Sequence, residues 1–163
     1  MTGRNKIKSA TAAAKSSNRC SFDLKSAIQK DFAFCLKLYV SSMEQHLSAL
    51  NAWNREKAEA TFESYFKTEE IRIILVGGNH VGWIQVSETA KAINLDQIHL
   101  YEEYQNRGIG SRLIMETMAI ATDKKKPVLL SLIRGNRAMN LYQRMGFRPD
   151  GEDLTKFHMR WDG

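Results

Sequence analysis

The chain has 163 residues, 43% apolar and 26% charged, with a net charge of +6. That describes one globular domain able to bury about two thirds of its unfolded surface without staples. Its two cysteines, Cys20 and Cys35, suggest neither a disulfide framework nor a zinc site, no apolar run approaches the ~20 residues of a membrane span, and the start lacks the apolar stretch of a secretory signal, so a cytoplasmic protein is expected.

Residues 1–20 hold Arg4, Lys6, Lys8, Lys15 and Arg19 and no acid, a charge of +5. The rest of the chain carries 19 basic against 18 acidic residues and is nearly neutral, which does not favour a nucleic-acid partner. This Ser-, Ala- and Lys-rich stretch reads as a disordered, solubilising tail, with a transit peptide or a loose phosphate-binding arm as alternatives, and the domain as residues 21–163. "SFDLKSAI" alternates as a first strand. From Ala27 to about Leu50, Ile28, Phe32, Cys35, Tyr39, Met43, His46 and Leu50 recur at helical spacing. "NAWNREKAEATFESYF" is a second helix, with Trp53, Ala60 and Phe66 among its apolar positions. "IRIILVGG" and "VGWIQVSE" form an antiparallel hairpin, and "KAINLDQIHL" is the fourth strand. A helix follows from about Ser111 to Thr122, then the buried strand "PVLLSLI" and the short helix "NRAMNLYQRM", stopped by Gly146. "GFRPDGED" and "LTKFHMRW" are terminal strands. The order is β α α β β β α β α β β, an α/β domain whose mixed, mostly antiparallel sheet of six to seven strands is flanked by four helices.

The chemistry concentrates in "YQNRGIGSRLI", Tyr104 to Ile114, where a strand hands over to a helix through two glycines. A helix start offers unpaired N–H groups and a partial positive charge, and glycines let an anion approach the main chain. Arg107 adds a charge, and Gln105 and Asn106 add donors, so a diphosphate is the natural occupant. The P-loop pattern is absent, and Gly108-Ile109-Gly110-Ser111-Arg112-Leu113 lacks the third glycine of the dinucleotide fingerprint.

Gln105, Gly108 and Gly110 do fit Gln-x-x-Gly-x-Gly, with Arg107 at an x position, which resembles motif A of the GNAT superfamily of acetyl-CoA-dependent N-acetyltransferases. Further on, "GNRAMNLYQRMGF" is similar to that family's Asn-x-Ala-x-x-Leu-Tyr-x-x-x-Gly-Phe signature, here Asn136, Ala138, Leu141, Tyr142, Gly146 and Phe147. The resemblance spans about Phe22 to Trp161 and includes the element order. It implies acetyl-CoA as co-substrate, no metal, a small-molecule or peptide amine as acceptor, and leaves a homodimer open. By the same resemblance, main-chain N–H groups between Gln105 and Ser111, Ile109 included, wrap the diphosphate, with Asn136 nearby. The pantetheine arm pairs with the fourth strand at Ile98 and Leu100, as an added strand would.

The implied reaction is direct attack of a deprotonated amine on the thioester, with a main-chain N–H near Ile98 or Leu100 on the oxyanion. Tyr142 matches the family's proton donor to the leaving thiolate. The resemblance assigns no base. Strand alternation puts Asn94 and Asp96 on the face of Ile98 and Leu100, which makes Asp96 or a water chain the candidate base, with Asp96 as a plain polar strand residue the alternative, and Asn94 an acceptor contact. By the same alternation His99 points the other way and is structural. Tyr39, Trp53 and His46 are candidate acceptor-cleft residues that could equally be core, and Glu102 and Glu103 read as a solvated turn. An acyl-CoA sensor of the same fold without catalysis is the alternative function.

Overall fold

The structure is a computed structural model that describes residues 20–163; the basic tail expected over residues 1–20 lies, but for Cys20, outside the described residues. Seven strands and four helices follow one another in the expected order: β1 (Asp23–Ser26), α1 (Phe32–Ser48), α2 (Arg55–Tyr65), β2 (Ile71–Val76), β3 (Asn79–Glu88), β4 (Ile93–Leu100), α3 (Ile109–Lys124), β5 (Val128–Ile133), α4 (Ala138–Arg144), β6 (Arg148–Glu152) and β7 (Lys156–Trp161). The first helix starts later than its apolar spacing predicts. The buried Asp31 carboxylate accepts from Ile28 N–H at 2.9 Å, which winds Gln29–Asp31 into a 3-10 turn and leaves Ile28 53% exposed. On α2, Ala58 and Phe62 face inward, while Ala60, expected among the apolar positions, is exposed. Asn54 caps that helix by accepting from Lys57 N–H at 2.8 Å.

The strands form one sheet in the order β1-β2-β3-β4-β5-β7-β6. Every pairing is antiparallel except β4 with β5. Helices cover both faces, which is why β2 and β3 are apolar at odd and even positions alike. Ile71, Ile73 and Trp83 pack with Cys35, Leu38, Tyr39 and Phe62 of α1 and α2. Ile74, Ile84, Ile93, Leu95, Val128 and Leu130 pack with Ile109, Leu113 and Ile114 of α3. Gly82 is set by close approach, since a Cβ there would lie 2.2 Å from the His99 carbonyl oxygen. Among the described residues no helix is long and apolar enough to cross a membrane.

Candidate functional site

Strand β4 opens the site. It pairs with β5 at Ile93↔Val128, Asn94↔Leu129 and Leu95↔Leu130, and there the parallel ladder ends. On its other side the register slips: Gln85 faces Gln97, but Val86 faces Leu95, so Asp96 is the extra residue of a β-bulge. From Asp96 to Leu100 the strand keeps β3 as a partner while its other edge parts from β5. A sheet split in this way exposes backbone N–H and C=O groups that an extended, amide-rich ligand can pair with.

The bulge also corrects the expected faces. Strict alternation joined Asn94 and Asp96 to Ile98 and Leu100. Because the extra residue resets the alternation, Asn94 instead shares the face of Ser87, Gln97 and His99, toward α1 and α2. Ile98 and Leu100 remain with Leu95 and Ile93 on the α3 side. Asp96 neighbours Ser87, Glu70 and Lys67, groups on the α1–α2 side. Its carboxyl is raised above the usual range, chiefly by desolvation, although its outer edge reaches solvent. Sequence carries no mark of a bulge, because register depends on the neighbouring strand.

Beyond β4 the chain makes a 3-10 turn, Glu102–Tyr104, and enters the glycine loop. The Gln105 side chain donates to the Leu100 carbonyl at 3.0 Å and so ties the loop to the end of β4. Asn106 (φ 58°) and Gly108 (φ 81°) take left-handed conformations, and the Arg107 guanidinium stands 5.5 Å from the centre of the Tyr104 ring. Gly108 is the N-cap of α3, and no side chain caps that helix. A Cβ on Gly108 would meet no atom within 4 Å, and one on Gly110 would meet only Ile98 Cδ1 at 3.9 Å. The protein itself therefore leaves room for side chains there, and the open space beside the first-turn N–H groups suits an anion. Ile109 is 1% exposed and anchors the turn in the core, whereas Ser111 is half-buried at the rim. Asn136 lies at the start of α4, where its Oδ1 accepts from Ala138 N–H at 2.9 Å.

Tyr142 projects from α4 and is 5% exposed, its ring set edge-on against Phe147 with centroids 5.5 Å apart. Burial pushes its phenol up to about 12. Among the described residues the hydroxyl takes no hydrogen-bond partner, yet it is not sealed off as the Trp83 indole nitrogen is. On the opposite face, His99 Nε2 lies 2.8 Å from Gln97 Oε1, and the imidazole, wedged between Trp83 and Tyr39, is pushed down to about 3 by desolvation and then by His46. Tyr39 belongs to the core there, and Trp53 packs half-buried against the same cluster. The Gln97–His99 pair was missed in sequence; spacing alone carried no signal for it.

A second contact was also missed. Cys20 N–H donates to the Arg107 carbonyl at 3.4 Å, and Arg112 Nη1 donates to the Cys20 carbonyl at 3.3 Å. The Arg112 guanidinium lies 4.4 Å from the centre of the Phe22 ring. The first described residues are thus pinned to the glycine loop.

Residues 67–149 match the family model of the acetyltransferase (GNAT) domain. No curated protein matches the chain. Among solved structures, the PaiA N-acetyltransferase from Thermoplasma acidophilum, in complex with coenzyme A, aligns with a TM-score of 0.71 at 18% identity, over 88% of this chain and 99% of that one. An acetyltransferase from Thermus thermophilus gives 0.65 at 18% identity, over 86% and 96%. An N-acetyltransferase from Staphylococcus aureus gives 0.65 at 14% identity, over 85% and 100%. At these identities the likeness to the solved structures speaks for the fold.

Proposed function

The chain belongs to the GNAT acetyltransferase domain family, and on that premise we propose that it moves the acetyl group of acetyl-CoA to a primary amine by direct attack of the amine on the thioester. One observation carries the reading: an uncapped helix start, with open space at Gly108 and Gly110, beside the unpaired edge of β4. The N–H groups of Ile109, Gly110 and Ser111, with Arg107, hold the diphosphate. The free edge at Ile98 and Leu100 pairs with the amides of the pantetheine arm and directs the thioester toward the bulge. The bulge frees main-chain N–H groups there to stabilise the oxyanion.

The amine approaches from the α1–α2 side, where Asn94 and Asp96 stand. An alkylamine with a pKa of ~10.4 arrives protonated. Asp96 takes its proton, directly or through a water, and the upward shift of its carboxyl makes it a better base than an ordinary aspartate. Tyr142 stabilises the departing sulfur. With the phenol near 12 and a thiol near 8.5, complete proton transfer is uphill by roughly 5 kcal/mol. Its contribution is therefore a hydrogen bond that strengthens as charge gathers on sulfur, and the thiolate then takes its proton from solvent.

Gly110→Val tests the diphosphate dock. Gly110 is the better choice because Gly108, at φ 81°, would add backbone strain to any substitution. By calorimetry the variant should bind CoA at least tenfold more weakly, ~1.4 kcal/mol, and a pantetheine fragment almost normally; equal losses for both remove the diphosphate from this loop. Thiol release across a broad amine panel tests the transfer itself. CoA binding with no turnover on any amine would assign the chain to an acyl-CoA sensor.

A further inference from the structure

The strand that parts from β4 carries chemistry of its own. β5 pairs with β4 as far as Leu95↔Leu130, so Ser131 is the first residue of β5 past the split. Leu130 and Leu132 pack in the core on the α3 side, and Ser131 between them points to the opposite face, the side on which Asn94 and Asp96 stand. Asp96 and Ser131 therefore flank the opening on one face, each from its own strand. β7 sets His158 directly across from Ser131, and Ser131 Oγ lies 2.7 Å from His158 Nδ1.

The other ring nitrogen, Nε2, faces Asp153 Oδ2 at 3.5 Å. Asp153 is held between β6 and β7, where its Oδ1 accepts from the Thr155 and Lys156 N–H groups, both at 2.8 Å. A carboxylate beside Nε2 favours the proton there, which leaves the Nδ1 lone pair to accept from the Ser131 hydroxyl. Arg160, next along that face of β7, is taken by Asp162 at 2.6 Å, and Lys156 before it is exposed. Hydroxyl, imidazole and carboxylate in this order can pass a proton inward from the hydroxyl. Ser131 is exposed and His158 partly so, which leaves the hydroxyl within reach of an incoming molecule.

Amide formation has a second proton to place. An alkylammonium loses two protons in becoming an amide. Asp96 takes the first, and attack of the neutral amine then gives a tetrahedral adduct with a positive nitrogen and a negative oxygen. That nitrogen must give up another proton while Asp96 still holds the first. We propose that Ser131, His158 and Asp153 form the relay that takes this second proton. The adduct's N–H gives its proton to Ser131 Oγ as the Ser131 proton passes to His158 Nδ1, and Asp153 stabilises the imidazolium. The C–S bond then breaks, its electron pair leaves on sulfur, and His158 returns its proton to solvent. This rests on the transfer reading above, with the amine entering from the α1–α2 side.

The test uses the full chain as Ser131→Ala, His158→Gln and the double variant, with thermal unfolding as the control for folding and CoA titration as the control for the coenzyme site. Thiol release is followed with the fastest primary alkylamine of the broad panel and with its β-fluorinated analogue, which has nearly the same shape and a less basic nitrogen. Each single variant should lose ~10²-fold in kcat on the alkylamine, with CoA affinity unchanged. On the fluorinated amine the loss should shrink, because its adduct gives up the proton more readily. The double variant should lose no more than the worse single one, as members of one relay do. Full kcat in either single variant, equal losses on both amines, or losses that multiply in the double variant overturn the relay, and wild-type turnover in the same assay then leaves the transfer reading standing. A wild type that releases no thiol with any amine brings down both.

Discussion

The two halves of β4 are built on opposite plans. Ile93–Leu95 is paired on both sides, and Ile93 and Leu95 are 1% and 3% exposed, so that half is ordinary sheet interior. From Asp96 to Leu100 the strand has one partner, and Ile98 and Leu100 are only half-buried. Composition hardly marks the two halves; "INL" and "QIHL" each hold two apolar residues. The difference lies in pairing, so the cleft is made by withholding backbone hydrogen bonds rather than by placing polar side chains. An open edge at the rim of a sheet invites aggregation. Here it lies inside the sheet, flanked by β3 and β5.

The sharpest way to break this comparison is Tyr142→Phe, which removes the hydroxyl that the proposed reading assigns to the departing sulfur and leaves the ring in place. kcat should fall by ~10²-fold or more, with the KM for acetyl-CoA little changed, and part of the loss should return with an acyl donor whose thiol is more acidic. Full kcat, or equal impairment on both donors, would make the phenol a core residue only. Next in size is Gly82→Ala. Its Cβ would press on the His99 carbonyl and force β3 away from the open half of β4, the strand's remaining partner there. Denaturant unfolding should show a loss of about 2 kcal/mol; a loss within ~0.5 kcal/mol, typical of surface changes, would mean that this pairing is slack.

The smallest effect, taken per pH unit, concerns pH. The folded protein holds His99 neutral down to about 3, while the unfolded chain protonates it below about 6.5. Below pH 6.5 the unfolded state therefore binds the extra proton. The stability owed to His99 is complete above 6.5 and is lost as pH falls toward 3, by at most ~1.4 kcal/mol per pH unit. His46, lowered by desolvation, adds to the same slope. Between pH 6.5 and 5, above the range of ordinary carboxylates, His99→Gln should flatten the curve and leave only the His46 part. An unchanged slope in that window would show that His99 is not held neutral behind β4.

Legibility followed the same division. The element order was readable because hydrophobic period and glycine punctuation are local: α3 runs through Leu113 and Ile114 at helical spacing, and Gly108 and Gly110 mark its start. Features set by partners were not. Alternation placed Asn94 and Asp96 with Ile98, and the bulge, a matter of register against β3, overturned it. The start of α1 moved because the Asp31 carboxylate captures Ile28 N–H, a local bond that the apolar stripe through Ile28 concealed. In the glycine loop, sequence pointed to the main chain as the ligand for a diphosphate; it could not show that the Gln105 amide would be spent on the Leu100 carbonyl, or that Cys20 would lie against Arg107.

Because β4 and β5 share three residue pairs, the backbone ladder divides the molecule into two units that can open separately: the meander β1–β4 and the group β5, β7 and β6. Partial unfolding that separates the two units has only that three-pair ladder to break between strands. On the proposed reading, a coenzyme along the free edge of β4 bridges the two units, so saturation also acts as a clasp. At a ligand concentration of 100 times Kd, linkage adds about 2.7 kcal/mol to the cohesion of the whole. The supply of coenzyme then governs the protein's lifetime against proteolysis as well as its rate of turnover.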